Sequence, residues 1–326
     1  MNKLKQAMCW QLAGLAILFT FITPAIAQKY PVRPIRVVVG FIAGGTIDAT
    51  ARLVAQTLHE TWGQTVVVDN RPGVGGNLGA AIVAKANADG YTLLMTSPGP
   101  VAINPSLMKL PYNPRTELAP ITLVAFGPNV LVVPMSSAAT SLKEFIALAR
   151  GSSKRLSYGS SGLGSTPHLS TELLKMMANV DMVHVPYKGS NQAAIDLIAA
   201  RIDLMIVSAP TVLGHIRAQR LRALGVTSLE RISVLSDVPT FNEAGVPGYE
   251  AGAWWGMMAP GGTPAELIHK LQQAIAASLK TAEVSSRILA SGAIPVGNNP
   301  RAFGEYIEKE TSKWAAVIKR ARITLE

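Results

Sequence analysis

Of the chain's 326 residues 48% are hydrophobic, which excludes wholesale disorder and allows one large domain or two ordinary ones. The 28 glycines and 21 prolines follow no fixed period, which excludes a collagen-like repeat and indicates many tight turns. The formal net charge of +10 is scattered, with no run of four basic residues. We interpret it as a solubility feature and predict no nucleic-acid partner.

Residues 1–27 have the pattern of a cleaved export signal. Two lysines precede an apolar stretch from Met8 to Ile22, and Ala25-Ile26-Ala27 supplies the small-x-small pattern of a cleavage site. The stretch is shorter than the roughly 20 residues of a membrane-spanning helix, so a permanent anchor is the less favoured alternative. Because the single cysteine, Cys9, lies in this segment, the exported chain must fold without disulfides around a large core.

The rest of the chain alternates strand and helix signals. Short apolar runs predict strands, and apolar residues at helical spacing after several of them predict helices. This order predicts an α/β fold with parallel-rich sheets and helices on both faces. The predicted strands are 35–39, 65–68, 92–95, 156–158, 182–185 and 204–207. After the first strand, Ile47, Ala51, Val54 and Leu58 recur at helical spacing, and further predicted helices include Leu78, Leu169 and Ala193.

Two apolar runs, 121–133 and 249–259, interrupt the alternation. Both predict long extended connections, one before and one after the middle block of the chain. Two such connections between the middle block and the rest of the chain predict two α/β lobes, the first built from both ends of the chain. The predicted division is residues 28–125 plus 252–326 for one lobe and residues 126–251 for the other.

The loop between the first predicted strand and helix contains Gly44 and Gly45. Glycines let the backbone approach a ligand closely, and the unbonded N–H groups of a helix's first turn favour an anion such as a carboxylate. The alternative is an ordinary turn capped by Thr46 or Asp48.

A second loop of this kind runs from Tyr158 to His168 and contains three glycines and four hydroxyl residues. Thr166 before Pro167 predicts an N-cap followed by the first helical residue. The spacing does not fit the nucleophile elbow of a hydrolase. His168 has the chemistry of a catalytic base, but a structural hydrogen bond is the favoured interpretation.

Other chemistries have weak signals. The glycine-rich segment 71–79 resembles a dinucleotide fingerprint, but its spacing and its position after the second strand favour a tight turn. The histidines lack metal-ligand spacing, so we predict no metal and no cofactor. No nucleophile–base pair is evident, which argues against an enzyme. Trp254 and Trp255 either flank a ligand or are buried.

Short phrases spread along the exported chain occur in the order of a known family. They include Ala43-Gly44-Gly45 with Asp48, Asn70-Arg71-Pro72-Gly73, Asp89-Gly90-Tyr91, His184-Val185-Pro186-Tyr187-Lys188-Gly189, Asp237-Val238-Pro239-Thr240 and Gly262-Thr263-Pro264. With these phrases, residues 28–326 resemble the Bug family, the extracytoplasmic solute receptors of tripartite tricarboxylate transporters. At Ile42 the family usually has proline, so the entry of the first loop is expected to be less rigid.

The resemblance implies a type II-like periplasmic binding fold whose two lobes close over a small carboxylated solute. It implies a monomer in the periplasm that delivers the unchanged solute to integral membrane transporter subunits. An exported hydrolase, which would need a base beside a serine of 157–166, and a sensory or interaction protein are the alternatives. The implied ligand-binding positions are Ala43, Gly44, Gly45, Thr46, Asp48, Ser97, Gly162, Ser165, Thr166, His168 and Ser208.

Overall fold

The strands of the computed structural model form one mixed sheet, and the structure describes residues 30–153 and 155–324. The predicted export signal lies outside the described residues. The strands are β1 (Ile35–Val39), β2 (Val66–Asn70), β3 (Thr92–Thr96), β4 (Leu118–Pro134), β5 (Leu156–Ser160), β6 (Met182–Pro186), β7 (Leu204–Ser208), β8 (Leu221–Val226), β9 (Gly252–Pro260) and β10 (Ile294–Pro295).

The α-helices lie in the connections between these strands and at the end of the described chain. Within residues 30–153 and 155–324, no helix is both long enough and apolar enough to cross a membrane. The α-helices are α1 (Thr46–Trp62), α2 (Asn77–Ala84), α3 (Leu142–Gly151), α4 (Thr166–Ala178), α5 (Ser190–Ile198), α6 (Ala209–Arg217), α7 (Ala265–Leu279), α8 (Ala282–Ala290) and α9 (Pro300–Ala321).

The sheet has the strand order β2-β1-β3-β9-β4-β7-β5-β6, with β8 and β10 also paired to β4. At one side β1 is parallel to β2 and β3, and at the other side β5 is parallel to β6 and β7. Both parallel sets come from strand–helix alternation, in which a helix carries the chain back between parallel strands. The predicted α/β fold with parallel-rich sheets is confirmed.

The two runs that interrupt the alternation are the strands β4 and β9. β9 is antiparallel to β3 and to the first part of β4, through the pair Pro128↔Gly252. From Asn129 onward β4 pairs instead with β7, beginning at Asn129↔Ser208. β4 therefore joins the two parallel sets, and its changeover of partners falls between Pro128 and Asn129.

Helix α1 follows the predicted helical spacing, with one exception. Ala51, Val54 and Leu58 are fully buried, as expected for the apolar face of a helix packed on a sheet. Gly63 ends the helix in the left-handed conformation at φ 66°. Ile47, the first apolar residue of the pattern, is only half-buried, because it lies at the helix start, above the core.

A contiguous apolar cluster runs through both parts of the sheet and includes Val38, Leu131, Leu169 and Trp314. Residues Arg33–Glu326 form one compact unit. The division into lobes at residues 125 and 251 stays a prediction.

One carboxylate lies inside this apolar interior. Glu310 on α9 is only 1% exposed and accepts hydrogen bonds from the indole N–H groups of Trp314 (2.9 Å) and Trp254 (3.3 Å). Lys313 Nζ donates to the Glu310 carboxylate and to the Glu250 carbonyl, the latter at 3.0 Å. Because a buried charge is tolerated only when it is paired and hydrogen-bonded, this network fixes α9 against the segment that leads into β9.

Candidate ligand-binding site

A cavity of about 420 Å³ lies where β4 changes partners. Gly127 and Pro128, immediately before the changeover, contribute to its wall. In α/β sheets ligands bind beyond the carboxyl ends of parallel strands, and the residues after β1 and at the end of β7 border this cavity. Its lining residues are Phe41, Ile42, Gly45, Thr46, Ile47, Asp48, Gly127, Pro128, Ser208, Pro210, Thr211, Ala253, Trp255, Ser291, Gly292 and Ala293.

The loop after β1 presents the start of α1 to the cavity. Gly45 is the N-cap, with φ −78° and ψ 167°, and among the described residues no side chain caps the first turn. Gly44 precedes it at φ +82°, a left-handed conformation that glycine adopts without strain. The first-turn N–H groups of α1 are therefore available to an acceptor in the cavity.

The Asp48 carboxylate holds this loop in place. It accepts hydrogen bonds from the Gly44 N–H (2.8 Å), Arg52 Nε (3.0 Å) and Asn70 Nδ2 (3.0 Å). Asn70 Nδ2 also donates to the Phe41 carbonyl at 3.1 Å, which stabilises the beginning of the loop. Burial opposes the ionisation of Asp48, but these donors outweigh it and lower the pKa of its carboxyl. Asp48 thus borders the cavity as a positioning residue whose oxygens already have donors.

A second helix starts at the same cavity. Ser208 ends β7 and is the N-cap of α6, with Pro210 in the first turn. Its hydroxyl is 2.9 Å from the Thr211 hydroxyl, and both residues line the cavity. The wall therefore contains two helix N-termini, of α1 and α6, whose dipoles both favour negative charge.

The two adjacent tryptophans of β9 have different surroundings. Trp254 is fully buried and donates to Glu310, whereas Trp255 forms part of the cavity wall. Gly127 makes room for the Trp255 indole, since a Cβ at position 127 would lie 2.7 Å from its ring. Both tryptophans are buried, and Trp255 also lines the cavity, so the two alternatives left open by the sequence are both found at Trp255.

The glycine-rich segment 71–79 packs against the end of β1. A Cβ at Gly40 would lie 2.7 Å from the Gly76 carbonyl, and a Cβ at Gly79 would lie 2.8 Å from the Gly40 Cα. Val74–Gly76 form a short 3₁₀ turn in which Gly75 and Gly76 have positive φ. These glycines serve close backbone packing, in agreement with the predicted tight turn.

The loop before α4 is held by its own side chains. The Ser165 hydroxyl accepts from the His168 N–H at 3.4 Å and donates to the Gly162 carbonyl at 2.7 Å. Ser165 is therefore the N-cap, and the predicted cap at Thr166 is wrong by one residue. Pro167 fits the second helical position as well as the first, because neither N–H has a partner within the helix.

Two histidines stack beneath this loop. The rings of His168 and His184 are 3.9 Å apart with planes 7° from parallel, and His168 Nδ1 accepts from the Gly164 N–H at 3.0 Å. Burial, with repulsion from His184 and Lys175, lowers the pKa of His168 to about 3. Burial also lowers the pKa of His184, against the attraction of Glu172. Both rings are therefore neutral at neutral pH.

The structure also contains a serine–histidine contact that the sequence analysis did not find. Ser160 Oγ lies 2.6 Å from His184 Nε2, at the end of β5. The expectation that no nucleophile–base pair exists is wrong in this respect. Ser160 is 0% exposed, and its hydroxyl also bonds to the N–H and the carbonyl of Gly162, each at 3.1 Å. A nucleophile must reach its substrate, and this hydroxyl is enclosed by its own loop.

We expect the histidine stack to make folding sensitive to acid. Unfolded histidine binds a proton below about pH 6.5, whereas folded His168 does so only near pH 3. The contribution of neutral His168 to stability is therefore complete above pH 6.5 and is lost as the pH falls toward 3. At pH 5 the free energy of unfolding should be lower by about 2 kcal/mol. Chemical denaturation at pH 7 and 5 should show a larger loss in the wild type than in His168→Gln, in which the lowered pKa of His184 still contributes. His269→Gln, at an exposed position of α7, is the control, and a wild-type pH dependence in His168→Gln would contradict the assignment.

The cavity brings together some of the sequence-predicted ligand positions. Gly45, Thr46, Asp48 and Ser208 line it. The other predicted positions lie outside its lining and stay predictions: Ala43, Gly44, Ser97, Gly162, Ser165, Thr166 and His168.

Some of the lining residues were not predicted from the sequence. They include Ile47, Thr211 and Ser291, whereas ligand contact was one of the two alternatives for Trp255. Within the described part of the chain no group of three or more potential ligands could hold a metal ion.

The chain belongs to the TctC family, described as "Tripartite tricarboxylate transporter family receptor", which matches residues 50–323. The resemblance to the Bug receptors is thereby confirmed. The chain is 40% identical over 316 residues to the "UPF0065 protein in tcbD-tcbE intergenic region" of Pseudomonas sp. (strain P51), with 96% of this chain and 94% of that protein covered.

Two solved structures of similar proteins hold dicarboxylates. Rpa4515 of Rhodopseudomonas palustris, solved with adipate, is 41% identical at a TM-score of 0.75, covering 91% of this chain and 99% of that one. MatC (Rpa3494) of the same species, with bound malate, is 32% identical at a TM-score of 0.70, covering 89% of this chain and 100% of that one. The family and these relatives are binding proteins.

Proposed function

We propose that the protein is a periplasmic solute receptor. It binds a small organic carboxylate in the cavity at the β4 changeover and delivers it unchanged to the membrane subunits of a tripartite tricarboxylate-type transporter. The observation that carries the proposal is the start of two helices, α1 at Gly45 and α6 at Ser208, at one cavity of a TctC-family chain. The relatives that hold adipate and malate support a carboxylate as the ligand.

The wall suits a carboxylate held without a cationic side chain. Asp48 is the single charged residue among the described lining residues, and its oxygens are occupied by donors. A carboxylate that leaves water must recover its hydrogen bonds or lose several kcal/mol, so it needs other donors. The first-turn N–H groups of α1 and α6 and the Thr46 hydroxyl can supply them.

Closure of the two predicted lobes would complete the site. In this proposal Ala43, Gly44 and Ser97 belong to one side of the cleft, and the loop with Gly162, Ser165, Thr166 and His168 belongs to the other side. Removing water strengthens the hydrogen bonds to the solute, and the closed form gives the transporter a shape to recognise. The predicted export signal at 1–27 supports a periplasmic location, where the receptor would act as a monomer without a cofactor or metal.

The Ser160–His184 contact favours a hydrolase as the second candidate function. Its geometry fits a nucleophile and a base, at 2.6 Å between Oγ and Nε2. Ser160 is fully buried, and its hydroxyl is hydrogen-bonded to three atoms, two of Gly162 and one of His184. Both observations argue for a structural role. A receptor is therefore the better-supported function.

The two candidates differ in what happens to the ligand. We expect mass spectrometry of protein purified from its native host to find a small carboxylate, released with unchanged mass after prolonged incubation. Ser160→Ala should bind the same compound with similar affinity in calorimetric titration. A new product formed by the wild type and lost in Ser160→Ala would establish the hydrolase, and the absence of any carboxylate ligand would contradict the receptor.

A further inference from the structure

The polar groups of the cavity wall are few and mostly engaged. Of its four hydroxyl side chains, Ser208 and Thr211 lie 2.9 Å from each other, and Ser291 donates to the Ile288 carbonyl at 2.7 Å. The fourth lining hydroxyl residue is Thr46, at the start of α1. A ligand hydroxyl that lies against the apolar part of the wall would therefore meet few partners.

Apolar side chains from five segments make up the rest of the wall. Ile42, in the loop before α1, is 72% exposed, and Ile47, in the first turn of α1, is half-buried. Trp255 supplies an indole from β9, which Gly127 allows to lie close to β4. The remaining apolar lining residues are Phe41, Pro128, Pro210, Ala253 and Ala293.

Ile42 is exposed and Ile47 is half-buried, although large aliphatic side chains are mostly buried in the core. Both line this one cavity, whereas the buried apolar residues of α1 begin at Ala51. Apolar surface of this kind gains stability when it is covered by the apolar part of a ligand.

We propose that the cavity selects carboxylates with a hydrocarbon body, such as unsubstituted dicarboxylates, against hydroxylated compounds of the same length. This inference rests on the proposed function and adds the chemistry of the ligand between its charged ends. The hydrocarbon part lies against Ile47 and Trp255, while the helix starts bind the charged ends. A hydroxyl on the ligand loses its water and finds no partner there, which typically weakens binding about tenfold.

Calorimetric titration with matched pairs tests this selectivity. Adipate and galactarate share a six-carbon dicarboxylate skeleton, and galactarate carries a hydroxyl on each of the four middle carbons. Succinate and malate differ by one hydroxyl. In each pair that binds, we expect the Kd of the compound without hydroxyls to be at least about tenfold lower than that of its hydroxylated partner.

The outcomes separate this inference from the proposed function. A smaller ratio of the two Kd values, or tighter binding of galactarate or malate, would overturn the selectivity. The proposed function as a carboxylate receptor would still hold. Failure of all four compounds to bind would overturn the selectivity and count against the dicarboxylate-binding function as well.

A substitution in the cavity wall tests whether the preference for hydrocarbon ligands arises there. Ile47→Thr keeps a β-branched side chain but adds a hydroxyl, so it should reduce the adipate-to-galactarate ratio by about threefold or more. Ile195→Thr makes the same change on α5, where Ile195 is 63% exposed and outside the cavity lining, and should leave the ratio unchanged. An unchanged ratio in Ile47→Thr would overturn the assignment of the preference to this wall.

Discussion

Replacing Gly45 with valine is expected to weaken dicarboxylate binding by at least about tenfold, because the side chain would stand where the carboxylate meets α1. The substitution does not strain the backbone, since Gly45 has an extended conformation. A Cβ at this position has one near neighbour, the Ile42 carbonyl at 3.7 Å. The loss should therefore be in affinity, and the stability of the ligand-free protein should change by about 1 kcal/mol or less.

Gly189→Val is a matched control for this substitution. Gly189 is also an N-cap, of α5, with extended backbone and no atom within 4 Å of an added Cβ, and it lies outside the cavity lining. It should show the same small change in melting temperature and no change in adipate affinity. Wild-type affinity in a folded Gly45→Val protein would remove this loop from the site.

The largest loss of stability is expected for Glu310→Ala. The change leaves the indole N–H groups of Trp254 and Trp314 without their buried acceptor and leaves Lys313 with only the Glu250 carbonyl and no carboxylate. Breaking a buried, hydrogen-bonded charge typically lowers the free energy of unfolding by about 3–5 kcal/mol. Because Trp254 adjoins Trp255 of the cavity wall, adipate affinity should fall as well.

Glu305→Ala is the control on the same helix. Glu305 is exposed and pairs with Arg301 at 3.1 Å, an interaction worth about 0.5 kcal/mol or less. Urea denaturation of both variants gives the comparison. Equal, small losses in Glu310→Ala and Glu305→Ala would show that the buried network does not stabilise the fold.

The fold followed from the sequence wherever one local pattern determines an element. The helical spacing of Ala51, Val54 and Leu58 predicted α1, and the two long apolar runs predicted extended segments that are β4 and β9. The partners of those strands could not be predicted. The changeover of β4 from Gly252 to Ser208 depends on pairing between distant residues, which no local periodicity encodes.

The site was less accessible to sequence reasoning for the same reason. Ser160 and His184 are 24 residues apart and meet because β5 and β6 pair in register, with Tyr158 opposite His184. Ile47 was predicted only as part of the helical spacing of α1, and it borders the cavity. Its position at the very start of α1, beside the two glycines, is the signal that could have identified it. Ser208 was named through the resemblance, and the structure adds that it begins α6.

A crystal structure of the protein with adipate tests the central claim most directly. We predict adipate in the cavity at the β4 changeover, with one carboxylate at hydrogen-bonding distance, about 3 Å, from a first-turn N–H of α1. The hydrocarbon chain should contact Ile47 and Trp255. Adipate bound elsewhere, with only water in this cavity, would contradict the account.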